Sequence, residues 1–157
     1  MNRNAMLAAV YAGLVAGTID VFAPEIIHFI KTQAWISPLA VMRYIAGGVV
    51  GLDNARNGGV PMAAFGMLMQ WLMSELIAMI FVVAAVRMRW LARNWIAAGL
   101  VYGTIVFFVM NWVVVPLSMI GKAPQMDTYG FVANMVAMWL FGLIVAWFAQ
   151  HYLARGD

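Results

Sequence analysis

Ala12-Gly13-Leu14-Val15-Ala16-Gly17-Thr18-Ile19 comes back as Ala98-Gly99-Leu100-Val101-Tyr102-Gly103-Thr104-Ile105, and Phe22 is answered by Phe108. Across residues 12–22, eight of eleven positions agree with their counterparts in 98–108. Each copy sets two glycines one helical turn apart in an apolar stretch, Gly13 with Gly17 and Gly99 with Gly103, which lets another helix backbone come close. A fainter echo pairs Trp71-Leu72 with Trp139-Leu140 and Ala78 with Ala146. The repeating unit is a helical hairpin, and two of them in tandem are expected around a pseudo-two-fold axis along a membrane normal, glycine face to glycine face.

Hydrophobic residues make up 66% of the 157 and charged ones only 10%, with a mean hydropathy of +0.90. So little polar surface cannot cover a soluble globule. Asn94 to Gly121 and Thr128 to Ala154 contain no Asp, Glu, Lys or Arg, and each exceeds the roughly 20 residues a helix needs to cross a bilayer. Asn4 to Ile30 is apolar apart from Asp20, Glu25 and His28, and Pro61 to Val86 apart from Gln70, Ser74 and Glu75. The expected fold is all-α: a polytopic membrane four-helix bundle, one transmembrane domain over 1–157, with helices near 5–31, 61–86, 95–118 and 129–153. The first span is too long for a signal peptide's apolar stretch of about 7–15 residues and no A-x-A site closes it, so it is expected to remain attached.

The two halves differ by an insertion on the outer side, residues 32–60. Ser37-Pro38 is an N-cap followed by proline in the first turn, so a short interfacial or re-entrant helix is expected near 38–47. Asp53 to Gly59 is polar turn chemistry. Arg3, Arg87, Arg89, Arg93 and Arg155 fall on one side of the membrane, and Lys31, Arg43, Arg56 and Lys122 on the other. The arginines crowded into 87–93 make that side, with both termini, the expected cytoplasmic face of a bacterial inner membrane.

Ionisable residues within spans usually face the bundle interior and mark function. At about 100° per residue, Gly13, Gly17, Asp20, Pro24, His28 and Lys31 share one arc of the first helix. Pro24 is expected to kink that helix and deprives the Asp20 carbonyl of its donor, which leaves it in need of a partner at membrane depth. The counterparts of Asp20, Pro24 and Glu75 in the second half are Val106, Met110 and Leu143, so only one half is specialised. Asn111 answers Glu25, and Asn134 enters the fourth helix near the same outer end. The expected site is an outward-facing polar pocket between the first three spans, formed by Asp20, Glu25, His28, Glu75, Asn111 and Asn134. The ordinary alternative is an acid that only fixes helix register by bonding Thr18, Thr104 or Asn111.

No catalytic constellation is present: there is no G-x-S-x-G, no H-E-x-x-H and no phosphate loop, so no enzyme activity is expected. With no cysteine, and His28 and His151 on opposite sides, neither a metal site nor a cofactor is expected. Met69 and Met73 have the spacing of copper-channel methionines, yet Met also serves as an apolar gap-filler, and this face is read as structural. The arginines at 87–93 suit anionic lipid head groups, and no nucleic acid is expected.

Ile45-Ala46-Gly47-Gly48-Val49-Val50-Gly51, Gly58-Gly59, Gly66, and Gly99-Leu100-Val101-Tyr102-Gly103 followed by Met110-Asn111 and Pro116-Leu117-Ser118 resemble a family of small four-helix bacterial inner-membrane proteins, distantly similar to the YagU-type proteins. The resemblance implies a fold and a location. The family's second helix often carries a histidine, where this chain reads Gln70-Trp71-Leu72-Met73-Ser74-Glu75. The function expected is the binding or passage of a small ion, proton or polar solute. An accessory or assembly subunit of a larger membrane complex is the alternative. Beyond the lipid bilayer, the expected partner is a second copy in a homodimer or another membrane protein.

Overall fold

The computed structural model describes residues 3–153; Arg155, counted above with the arginine-rich side, lies outside them. Every element among the described residues is helical. The long helices are α1 (Arg3–Thr32), α4 (Gly59–Arg87) and α8 (Thr128–Leu153). The third long element is composite: α6 (Trp95–Val109), a π-helical turn (Met110–Val114) and α7 (Val115–Leu117). Between these run α2 (Pro38–Val50), α3 (Leu52–Asn57) and α5 (Arg89–Arg93). Four helices, Arg3–Thr32, Gly59–Arg87, Trp95–Leu117 and Thr128–Leu153, are long and apolar enough to cross a membrane.

The two hairpins are α1 with α4 and α6 with α8. Within each, the glycine pair faces the hairpin's own second helix. A Cβ on Gly13 would meet the Glu75 Cα at 2.8 Å, and one on Gly17 the Ser74 Oγ at 2.5 Å. In the second hairpin a Cβ on Gly99 would meet the Leu143 Cα at 3.0 Å, and one on Gly103 would run into the Met138 carbonyl. The expected meeting of glycine face with glycine face is therefore corrected: α8 packs against both α1 and α6, which do not pack against each other over any appreciable length. Small residues closed the nearest available contact, and in a hairpin that is the returning helix.

A second asymmetry decides where the site lies. The face of α1 that carries Ala5, Ala8, Ala9, Ala12 and Ala16 is fully buried, so α1 settles deeply against α8 and is the most enclosed span. The matching positions of the second copy are Leu91, Asn94, Trp95, Ala98 and Tyr102. Tyr102 stands where α1 has Ala16. Its ring meets Phe81 of α4 with centroids 5.0 Å apart, and its hydroxyl donates to the Ile77 carbonyl at 2.6 Å. The bulk of this ring keeps α6 off α4 where alanine lets α1 close on α8.

The insertion forms the short helix expected near 38–47, slightly longer, with Pro38 in its first turn and Ser37 extended before it. It lies along α4 at a very close approach, for a Cβ on Gly66 would run into the Met42 carbonyl. Its Gly48 carbonyl accepts from the Met119 N–H, tying it to the end of the third span. Where Asp53 to Gly59 is expected as turn, the structure has the short helix α3 over Leu52–Asn57. The π turn was likewise not foreseen; it precedes Pro116, which lacks the N–H that would continue α-helical bonding to Trp112.

Candidate functional site

Several polar groups of the long helices meet at the contact of α1 and α4. Gln70 Nε2 donates to Asp20 Oδ2 at 2.9 Å. Beside this pair, one residue along α4 and two back along α1, Trp71 Nε1 donates to Thr18 Oγ1 at 3.0 Å, and that hydroxyl donates to the Leu14 carbonyl at 2.7 Å. The Glu75 side chain lies on the α1 backbone in the space left by Gly13, with its Cδ 2.7 Å from where a Cβ would stand. Ser74 is buried and occupies the equivalent place against Gly17. The glycines of α1 thus serve two ends: they bring α4 close, and they make room for its polar side chains.

On its other flank Asp20 borders a small space of about 20 Å³ between α1 and α8, lined otherwise by apolar side chains including Ala16, Ile19, Ala137 and Phe141. By volume this is room for about one water molecule, with Asp20 the polar side chain in its lining. Pro24 lies inside α1, so the Asp20 carbonyl has no helical N–H donor four residues on.

The remaining expected residues are spread more widely. Glu25 is 6% exposed, and its Oε1 has no hydrogen-bond partner. His28 is half-buried on α1. Asn111 Nδ2 donates to the Phe107 carbonyl at 2.9 Å and Asn134 Nδ2 to the Gly130 carbonyl at 2.8 Å, each within its own helix. The structure therefore brings Asp20 and Glu75 to one helix contact, between the first two spans and not among the first three. Among the described residues none of Asp20, Glu25 and Glu75 takes part in an ion pair.

Gln70, Thr18, Trp71 and Ser74 complete the seam and were not among the expected site residues. Two of them carried a signal, since Thr18 and Trp71 each have a counterpart in the second half, Thr104 and Trp139. Those counterparts make the same bonds: Trp139 Nε1 donates to Thr104 Oγ1 at 2.8 Å, and Thr104 Oγ1 to the Leu100 carbonyl at 2.9 Å. Where the first hairpin then adds Gln70, Ser74 and Glu75, the second has Met138, Gly142 and Leu143.

Where α1 ends and α8 begins, Lys31 Nζ and Asp127 Oδ2 form an ion pair at 2.6 Å, and Tyr129 donates its hydroxyl to the Ile27 carbonyl at 3.2 Å. The Lys31 ammonium, with the Gly130 N–H, holds the Asp127 carboxyl below the usual carboxylate range. This clasp joins the end of α1 to the start of α8.

Four helices long and apolar enough to cross a membrane suggest a multi-pass membrane protein. No protein-family model matches the chain, and neither a curated protein nor a solved structure does.

Proposed function

We propose that the chain is a non-enzymatic protein of a bacterial inner membrane, its termini cytoplasmic, that binds or passes a small species through the α1–α4 seam, and that this species is a proton. The observation carrying the proposal is Asp20: a carboxylate within a candidate span, bonded to Gln70 on α4 and bordering room for one water. Acids at such depth are expensive to keep and are retained for ion or proton traffic. The space beside Asp20 on its α8 flank, about 20 Å³, is smaller than a hydrated ion or a solute needs. A bare divalent cation needs about six oxygen ligands, and among the described residues no three acidic or histidine side chains converge. A carboxyl with one water beside it suffices for a proton. Glu75 on the same contact and the unpartnered Glu25 oxygen toward the outer end supply further proton-holding groups on the same two helices.

The test is proton flux into proteoliposomes loaded with a pH-sensitive dye and driven by a potassium diffusion potential. Asp20→Asn keeps an oxygen that can accept from Gln70, so the fold is retained. Flux in this variant falls to that of protein-free vesicles, and Glu75→Gln lowers it by a smaller factor. Unchanged flux in Asp20→Asn rejects the proposal.

A further inference from the structure

Gly47 and Gly51 fold α3 back over α2. A Cβ on Gly47 would meet the Leu52 side chain at 2.7 Å, and Gly51 has φ of 84°, a conformation that other residues rarely adopt. The corner brings Arg56 of α3 beside Arg43 of α2. Together with Ala40, Tyr44 and Leu52 they line a hollow of about 230 Å³.

Two guanidinium groups in one hollow repel each other unless an anion joins them. Among the described residues neither has a carboxylate partner, and Asp53, the nearest acid in sequence, pairs with neither. Arg43 is half-buried and held in place: its Nε donates to the Leu39 carbonyl at 3.2 Å and its Nη1 to the Arg56 carbonyl at 3.3 Å. Two of its five N–H donors are used in fixing it, which leaves the rest of the fork for a ligand. The Arg56 guanidinium takes no part in holding the corner together. One arginine is thus preorganised and the other free to close. A planar fork matches the oxygens of a phosphate group better than it matches any neutral ligand.

We propose that the α2–α3 corner is a binding site for a phosphate group, gripped by Arg43 and Arg56 with the Tyr44 hydroxyl as a third donor. Two sources present that chemistry: the phosphodiester of an anionic lipid and free inorganic phosphate. The site stands apart from the Asp20 seam, so its failure leaves the proton proposal untouched.

The purified chain in neutral micelles would be titrated with phosphatidylglycerol, with phosphatidylcholine and with inorganic phosphate, binding being read by native mass spectrometry for lipids and phosphorus NMR line width for phosphate. The wild type binds phosphatidylglycerol or inorganic phosphate, and the R43Q/R56Q variant does so at least about ten-fold more weakly, the effect of losing one charge-assisted hydrogen bond. The control K122Q, which removes an exposed cation outside the hollow, binds as the wild type does. Tight binding of phosphatidylglycerol alone identifies a lipid headgroup site; binding of inorganic phosphate identifies a soluble ligand. If R43Q disturbs the corner, R56Q alone gives the same answer, because among the described residues that side chain makes no hydrogen bond or ion pair. Equal binding by the wild type and R56Q overturns the proposal. So does full binding by R43K/R56K, which would reduce the site to general positive charge.

Discussion

Thr18 and Thr104 are each caught between an indole N–H on the neighbouring helix and a carbonyl on their own. The hydroxyl both accepts and donates, so no polar atom of the trio is left unpaired where water is scarce. An interhelical bond of this kind contributes about 0.5–1 kcal/mol. Trp71→Phe and Trp139→Phe should each lower stability by about that amount, and by similar amounts, in a denaturant titration in micelles. A loss confined to one of them would show that the two hairpins are not held alike. These residues could be read from the sequence because they recur. Gln70 could not: one glutamine has no periodicity, and its partner lies 50 residues away. The unpartnered oxygen of Glu25 was equally illegible, since burial of a single atom depends on how α1 turns within the bundle.

At the scale of elements, the spans were legible from length and hydropathy, and their observed limits fall within a few residues of those expected. Their neighbours were not. A glycine pair announces close approach without naming the helix that approaches, and here each pair serves its own hairpin. The repeat alone misleads where the two faces differ: alanines let α1 close on α8, while Tyr102 reaches from α6 to Phe81 and the Ile77 carbonyl of α4. The outer clasp between α1 and α8 carries its own prediction. Because the Asp127 carboxyl is held below its unfolded value of 3.8, its contribution is present above that pH and lost as pH falls through the lower folded value. Asp127→Asn, which can still accept from the Gly130 N–H, should melt below the wild type at neutral pH and converge with it in acid. A difference that persists or grows in acid would contradict the clasp.

For the whole molecule, a chain of 157 residues with no cysteine invites tests by cysteines placed at will. If the proposed orientation holds, with the arginine-rich α5 side cytoplasmic, Asn54→Cys should react with an impermeant maleimide in intact cells, and Ala92→Cys only after permeabilisation. The reverse pattern would invert the orientation. The site rests on the packing order, with α1 held between α4 and α8 so that its acid meets Gln70 of α4. Cross-linking in native membranes with a short bifunctional maleimide tests that order. The pair Thr18→Cys with Trp71→Cys should be joined within one chain, and Thr18→Cys with Thr104→Cys should not; a link between 18 and 104 with none between 18 and 71 would contradict the arrangement and the seam built on it.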